Sequence, residues 1–278
     1  MTEPAPSTAP RDHFARIAPQ WSQFGPPLRP SPDDSAVVQR VVSGLGSAAH
    51  ALVLGLTPEI IGCAWPADIT LTAVDHSPAM IRALWPDARR PASSQVIQGD
   101  WCAMPLPPAT IDLVAGDGCY VLMAYPHGFL TLTREVSRVL KPAGRLVMRV
   151  FLRPDRPETI ADIARALAHG EIGSVHALKL RLLAALHGAS GAGSRLDDVY
   201  RAWTTLPALP ETLSGTRGWT AAEIVGIDSY RDMDARYYLP TLAELRHVLA
   251  TSFHEIECAW GRHELADRCP TLVLTRDA

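Results

Sequence analysis

The sequence predicts an α/β fold of the doubly wound type, and three observations lead to that prediction. Apolar runs of strand length alternate with amphipathic stretches of helical length between about residues 51 and 151. The first run, Leu52 to Leu54, continues through Gly55 into a turn and a helix. The pattern returns near the C-terminus, where two strands stand close enough to pair as a hairpin. We therefore expect a mostly parallel, seven-stranded sheet with helices on both faces and a terminal antiparallel hairpin.

The elements follow from periodicity and capping signals. Ser31 to Asp34 predict the cap of a helix whose apolar face includes Val38 and Val42. We predict strands near residues 51–56, 70–75, 95–98, 111–116 and 144–151, with helices near 58–64, 77–85 and 128–140. A helix near 241–250 and strands near 254–260 and 270–276 complete the layer.

Two segments fall outside this alternation. Residues 1–12 are predicted to be disordered, and residues 13–34, which include a proline-rich run, to be stiff and extended rather than helical. From 156 to about 235, apolar residues recur at helical spacing, which predicts a helical insertion without strands. We divide the chain into an N-terminal extension (1–34), a main domain (35–151 and 240–278) and an insertion acting as a lid (152–239).

Composition excludes several classes of function. Of the 278 residues, 20% are charged and the formal net charge is −3, without a basic face or run, so we expect no nucleic-acid partner. No apolar run reaches the roughly 20 residues that span a membrane, and no secretory signal precedes the fold. Five scattered cysteines predict reduced thiols in a cytoplasm. No metal site is expected, and His254-Glu255 lacks the second histidine of a zinc protease.

Two residues at predicted strand ends are candidates for a nucleotide site. Asp75 stands twenty residues after Gly55, the distance at which an acid at the end of the second strand reaches ribose hydroxyls. Alternatively, Asp75 is a strand-end acid that caps the next helix. A nicotinamide site is disfavoured because Gly55 is not followed by the other glycines of that fingerprint.

Several motifs, taken together, resemble the class I S-adenosylmethionine-dependent methyltransferases. They are a helix, Lys141-Pro142-Ala143-Gly144 turn and strand, then Val74 to Met80 after strand two, and Gln98 to Trp101 after strand three. The resemblance covers about residues 51–151 and, more loosely, 241–276. It implies a Rossmann-like domain that binds S-adenosylmethionine.

The resemblance implies a role for particular residues. Asp75 is expected to accept hydrogen bonds from both ribose hydroxyls, and Asp100 to bind the adenine amino group. Trp101 is expected to offer a backbone N–H and an aromatic wall, while His76 and Met80 flank the adenine. Asp100 is alternatively an ordinary loop acid, and a helix that starts at Ser77-Pro78 explains His76 and Met80 by local structure alone.

The glycine-rich loop departs from the family pattern. Val53 replaces an acid that usually binds the methionine amino group, and Thr57 and Glu59 replace two glycines. Thr57-Pro58-Glu59 is instead a good helix start, so the loop is redesigned. Glu59 or Asp117 is then a candidate for the sulfonium end or amino group. Arg29 is a candidate for the methionine carboxylate if the proline-rich segment folds over the cofactor; a surface arginine is the plainer alternative.

Candidates for catalysis lie after strand four and near the end of the insertion. Asp117 lies between two glycines where a ligand can approach, although a tight turn explains it equally. His127 and Tyr237 are further acid–base candidates, with Arg149 and Tyr238 behind them. We expect methyl transfer to oxygen or nitrogen of a small-molecule acceptor. The alternatives are an S-adenosylmethionine-binding enzyme of other chemistry and a cofactor-free scaffold or regulatory protein.

Overall fold

A seven-stranded sheet forms the centre of the molecule, for which the computed structural model describes residues 13–189, 191–206 and 218–277. Its strands are β1 His50–Leu54, β2 Thr70–Asp75, β3 Ser94–Gln98, β4 Ile111–Asp117, β5 Leu140–Arg149, β8 Phe253–Ala259 and β9 Thr271–Arg276. Their spatial order is β3-β2-β1-β4-β5-β9-β8. The first five are parallel, and β9 runs antiparallel to both β5 and β8. The predicted fold class is confirmed.

Helices cover both faces of this sheet. In the described part of the chain, the α-helices, including those of the insertion, are α1 Phe14–Ile17, α2 Pro32–Val42, α3 Pro58–Ile61, α4 Pro78–Leu84, α5 His127–Val139, α6 Ile160–His169, α7 Val175–Ala185, α8 Leu196–Thr204, α9 Ala221–Val225 and α10 Leu242–Leu249. Short 3₁₀ helices span Ala18–Gln23, Cys119–Leu122, Gly226–Tyr230 and Ala266–Arg268. Capping boxes at Ser31, Thr159 and Thr241 satisfy exposed N–H groups and mark where three helices begin.

The central strands are apolar on both sides because helices cover both faces. In β1, Leu52 and Leu54 belong to one core cluster and Ala51 and Val53 to the other, and none of the four is more than 1% exposed. Their burial removes the apolar surface of both faces from water, which is the main force holding such layers together. The C-terminal ends of β1, β2 and β4 therefore leave the core at one common edge.

The segment between β5 and α10 builds a further apolar core of its own. Helices α6, α7 and α8 contribute buried residues at helical spacing, among them Leu167, Leu182 and Trp203. Two short strands, β6 Ser194–Arg195 and β7 Arg236–Tyr237, pair antiparallel within this segment. The prediction of an insertion without strands was therefore wrong. A strand of two residues is too short to show a periodic pattern in the sequence. It forms only because it pairs with a segment that is distant along the chain.

The N-terminal segment also differs from its prediction. Residues 14–23 form α1 and a 3₁₀ helix instead of an extended stretch, because their apolar side chains pack against the sheet and insertion. Non-helical backbone is confined to residues 24–31, around the prolines. The predicted disorder of residues 1–12 lies outside the described residues. In the described part of the chain, no helix has the length and apolar character needed to cross a membrane.

Candidate functional site

The carboxyl ends of β1, β2 and β4 open into one cavity, which we call the first cavity. It contains about 820 Å³ of empty space, including space open to solvent. Ligands of open α/β sheets bind at such an edge, where neighbouring connections leave toward opposite faces. The sheet side of the cavity, here the sheet wall, consists of Leu54, Gly55, Asp75, Asp117 and Gly118.

Gly55 occupies the turn at the end of β1 in a conformation that favours glycine. Its φ is +84°, and its N–H donates to the carbonyl of Val74 at 2.8 Å. The indole Nε1 of Trp101 donates to the same carbonyl at 2.6 Å, so the ring lies over Gly55. A Cβ atom at Gly55 would stand 3.5 Å from this ring. The absence of a side chain at Gly55 therefore allows the turn to adopt this conformation and leaves the backbone beside the Trp101 ring uncovered.

Asp75 ends β2 and is 5% exposed. Its Oδ1 accepts a hydrogen bond from the N–H of Ser77 at 2.8 Å. Asp75 therefore also acts as an acceptor at the start of the next helix, which is the alternative role that the sequence indicated. Its carboxylate still lines the first cavity, together with His76 and Met80. One residue therefore orders the start of α4 and lines the cavity.

Asp117 ends β4 and forms a buried ion pair with Arg149. The Arg149 Nε atom lies 2.7 Å from Asp117 Oδ1, and the two side chains are 2% and 5% exposed. Burial raises the pKa of Asp117, while the charge of Arg149 acts in the opposite direction. Burial disfavours the charged guanidinium, yet the Asp117 carboxylate raises the pKa of Arg149. The pair is held in place because Arg149 also donates to the carbonyl of Pro27 at 2.8 Å.

Gly118 follows Asp117 in the left-handed conformation, with φ +65°. A Cβ atom there would stand 2.6 Å from Phe151 Cε2, so the ring of Phe151 lies directly against the glycine. The guanidinium of Arg149 lies 4.8 Å from the centre of the same ring. Phe151 thus forms an aromatic wall above the end of β4.

The altered loop after Gly55 begins α3 but is also tied to the N-terminal segment. Thr57 is at the N-cap position without a side-chain capping bond, so the predicted threonine cap supplies only backbone conformation. Arg29 Nη2 lies 2.6 Å from Glu59 Oε1, and Arg29 Nη1 donates to the carbonyl of Trp21 at 3.1 Å. Arg29 is therefore engaged in holding the segment to α3. Glu59 Oε2 is buried and has no hydrogen-bond partner among the described residues.

Apolar and aromatic side chains close the first cavity from the side opposite the sheet. We call this group the cover, and it consists of Phe14, Ile17, Trp21, Phe24, Leu28, Tyr230 and Tyr237. Within it, Tyr237 is hydrogen-bonded to His13, with 2.8 Å between the hydroxyl oxygen and Nε2. Burial raises the pKa of Tyr237 well above its usual value.

A second cavity adjoins the first and contains about 1490 Å³ of empty space, open solvent included. Trp101, His76, Phe14, Leu122 and Tyr237 line both cavities. Asp100 and His13 line only the second, where Asp100 Oδ1 also accepts the N–H of Cys102 at 2.8 Å. Trp101 and Tyr237 therefore stand at the junction of the two cavities.

Most of the predicted site residues come together at these cavities. Those that line at least one cavity are Gly55, Thr57, Asp75, His76, Met80, Asp100, Trp101, Asp117 and Tyr237. Arg29 lies behind the cover, where Glu59 and backbone carbonyls occupy its donors. His127 is exposed at the start of α5 and lines neither cavity, so the structure does not bring it to the others.

Sequence reasoning missed most of the cover. From the sequence, no site role is assigned to His13, Phe14, Trp21, Phe24 or Tyr230. Trp21 carries one usable signal, since its indole Nε1 is buried without a partner among the described residues. No local pattern identifies the others, because their proximity depends on contacts between distant segments. In the part of the chain that the structure describes, no group of three or more metal-binding side chains is found.

Comparisons with known proteins agree with this geometry. Residues 53–148 match a family model described as "Methyltransferase domain". A search of curated proteins finds no match. Three solved structures, all at or below 13% identity, are similar in fold. One is N-methyltransferase NodS from Bradyrhizobium japonicum WM9 in complex with S-adenosyl-L-homocysteine (12% identity, TM-score 0.54, covering 96% of this chain and 100% of that one).

The second is a putative Zn-dependent alcohol dehydrogenase from Rhodobacter sphaeroides (13% identity, TM-score 0.61, covering 96% and 99%). The third is the complex between the Haloferax volcanii Trm112 methyltransferase activator and the putative methyltransferase (12% identity, TM-score 0.56, covering 97% and 100%). These likenesses concern the fold, and the family match concerns the domain that contains the sheet wall. The family model thus assigns residues 53–148 to a methyltransferase domain, and the solved structures show that the chain as a whole has the fold of such proteins.

Proposed function

We propose that this protein transfers a methyl group from S-adenosylmethionine to a small-molecule acceptor held between the sheet wall and the cover. One observation carries the proposal: Gly55, Asp75 and Asp117, from three different strands, converge on one cavity that aromatic side chains close. Five unpaired cysteines support a cytoplasmic setting.

Different residues of this site suit the ribose and the adenine of the cofactor. Asp75 offers carboxylate oxygen to the ribose, and Gly55 allows close approach of the loop backbone. His76, Met80 and Trp101 provide the walls of the adenine site, and Asp100 in the second cavity an acceptor for its amino group. Thr57 borders the same space on the loop side.

The methionine end needs partners that the altered loop no longer supplies. Trp21 lines the first cavity and has an unpartnered buried indole N–H, which suits a carboxylate. Glu59 Oε2 is an unpartnered buried acceptor, which suits an amino group. We assign to Arg29 the task of positioning both residues, since it contacts the carbonyl of Trp21 and the carboxylate of Glu59.

Bound S-adenosylmethionine supplies an activated methyl group, so the protein has to align the acceptor and exclude water. The cover performs the exclusion, because its apolar side chains occupy the solvent side of the cavity. Asp117 adds negative potential near the methyl group, balanced by Arg149. Its carboxylate is therefore better suited to orienting the site than to removing a proton.

Calorimetric titration with S-adenosylmethionine and S-adenosylhomocysteine tests the cofactor site. In Asp75→Asn, an oxygen remains for the N–H of Ser77 while the charge and one acceptor are lost. We expect affinity to fall by about 10- to 100-fold, the value of one or two charge-assisted hydrogen bonds. Asp87→Ala, at an exposed acid away from both cavities, is the control.

The outcomes separate the alternatives. Binding by the wild type that Asp75→Asn weakens supports the site, and S-adenosylhomocysteine formed only in the presence of an acceptor supports methyl transfer. Binding without any such product favours another chemistry on the same cofactor. Absence of nucleoside binding in the wild type favours the scaffold alternative and contradicts the proposal.

A further inference from the structure

The acceptor part of the first cavity is apolar and aromatic. Beyond the residues assigned to the cofactor, its walls include Phe24, Leu28, Val121, Phe151, Tyr230 and Tyr237. Flat rings with large apolar faces pack well against aromatic walls in stacked or edge-on arrangements. The shape and chemistry of these walls favour an aromatic acceptor body.

The charges around this cavity favour a neutral acceptor. Among the described residues that line it, none is lysine or arginine, so a carboxylate on the acceptor would be buried without a cation. Asp117 is already paired with Arg149, which leaves little attraction for an ammonium group. A charged group of either sign on the part of the acceptor that lies in the first cavity is therefore disfavoured.

One hydrogen-bonded pair interrupts the apolar wall. Tyr237 lines both cavities, and its hydroxyl is 2.8 Å from Nε2 of His13, which lines the second cavity. A tyrosine hydroxyl can accept a proton on one side while donating its own to an imidazole nitrogen on the other. A hydroxyl acceptor must lose a proton during methylation, whereas a neutral amine already has a free lone pair for attack. A proton route at this wall is therefore useful for a hydroxyl group.

From this arrangement we propose that the acceptor is a neutral aromatic alcohol and that His13, through Tyr237, takes its proton. The inference rests on the proposed function. The acceptor oxygen forms a bond to the methyl carbon as the sulfur–carbon bond breaks, and the electron pair of that bond remains on sulfur. The acceptor proton passes to the Tyr237 oxygen, the Tyr237 proton passes to His13 Nε2, and solvent then receives it. Sulfonium and alcohol thus become thioether, methyl ether and one released proton.

Three bicyclic probes of the same shape test the acceptor class: naphthol, naphthylamine and naphthoic acid. Binding of each probe to the protein without cofactor is measured first by calorimetry, and methyl transfer to each from S-adenosylmethionine second. We expect naphthol to bind about tenfold more tightly than unsubstituted naphthalene, the value of one buried hydrogen bond, and to be the best methyl acceptor. Better transfer to naphthylamine or naphthoic acid, or no binding of naphthol, would overturn the proposal.

Variants test the proton route. If His13 accepts the proton, kcat of the wild type for naphthol rises with pH, because only a neutral imidazole can accept it. His13→Ala and Tyr237→Phe are expected to lower kcat for naphthol by about 100-fold, within the range of acid–base catalysis, and to remove this rise. His247→Ala and Tyr125→Phe, which lie outside both cavities, are the matched controls. Tyr237→Phe should also remove the preference for naphthol over naphthalene in the cofactor-free protein.

The affinity for S-adenosylmethionine distinguishes a failure of the proton route from a failure of the proposed methyltransferase function. If a variant binds S-adenosylmethionine like the wild type and its kcat for naphthol and pH profile are unchanged, the proton route is wrong although the methyltransferase site stands. If the wild type binds no S-adenosylmethionine, the proposed function itself fails. Unfolding temperatures of the variants show whether a lost activity reflects lost folding.

Discussion

The sheet wall and the cover enclose the same cavity but are built by different physical means. The sheet wall places short residues at the ends of adjacent strands, where hydrogen bonds of the parallel ladder fix the backbone. The cover comes from segments more than 200 residues apart, joined by side-chain contacts such as that between His13 and Tyr237. The comparison shows a side fixed by the hydrogen bonds of the sheet and, opposite it, a side whose position depends on a few long-range contacts.

Breaking the ion pair of the sheet wall should have the largest effect. Arg149→Met leaves the Asp117 carboxylate buried without its cation, which is expected to lower the free energy of unfolding by about 3–5 kcal/mol. The double variant Asp117→Leu with Arg149→Met should recover much of that loss, because no charge then remains buried. Urea unfolding measures both, and equal losses in the single and double variants would contradict the explanation.

A side chain at Gly118 should cause the next largest loss of stability. Gly118→Ala forces a side chain into a positive φ and places its Cβ atom against the Phe151 ring, with an expected cost of about 2–4 kcal/mol. Gly46→Ala is the matched control, since nothing lies within 4 Å of its Cβ position and its φ is not in the left-handed region. Thermal unfolding of the two variants compares them, and similar stabilities would show that Phe151 moves aside freely.

A pH titration sharpens the comparison on the side of the cover. His176 packs against Phe24 with 5.9 Å between ring centres, and burial, helped by Lys179, lowers the pKa of His176 to about 4. The unfolded chain, with an ordinary histidine pKa near 6.5, therefore binds the proton more readily than the folded protein. The stability contributed by neutral His176 is present above about pH 6.5 and is lost as pH falls toward 4.

The expected slope is about 1.4 kcal/mol per pH unit within that window. Denaturant unfolding at several pH values measures it, and His176→Gln should remove this part of the slope. A wild-type slope that persists unchanged in His176→Gln would assign the acid sensitivity to other groups.

Breaking the ion pair between Arg29 and Glu59 should change the free energy of unfolding least. Arg29 and Glu59 are partly exposed, at 18% and 21%, so Arg29→Gln is expected to cost at most about 1 kcal/mol of stability. Its main effect should be faster dissociation of S-adenosylmethionine, because the cover loses a tie to α3. Arg40→Gln, which breaks another arginine–glutamate bridge at the surface, is the control. Equal rates of S-adenosylmethionine dissociation in both variants would mean that the Arg29–Glu59 ion pair does not hold the cover in place.

Sequence reasoning reached the sheet wall because its signals are local. Apolar runs of strand length ended in Gly55, Asp75 and Asp117, and parallel strands bring such ends to one edge without further information. It also proposed Arg29 and His127 for the site, whereas in the structure Arg29 contacts Glu59 and backbone carbonyls and neither residue lines either of the two cavities. Both differences arise because the direction of a side chain depends on its neighbours in space.

The sequence by itself determined the fold class, the strand ends that form the sheet wall and the likeness of residues 53–148 to a methyltransferase domain. Periodicity, turn residues and spacing are written along the chain, and each acts within a few residues or between adjacent strands. Only the tertiary structure decided that α1 and its following 3₁₀ helix form a cover, that Asp117 is paired with Arg149, and that His13 meets Tyr237. These contacts join distant segments, so their free energy depends on packing and burial that no local pattern encodes.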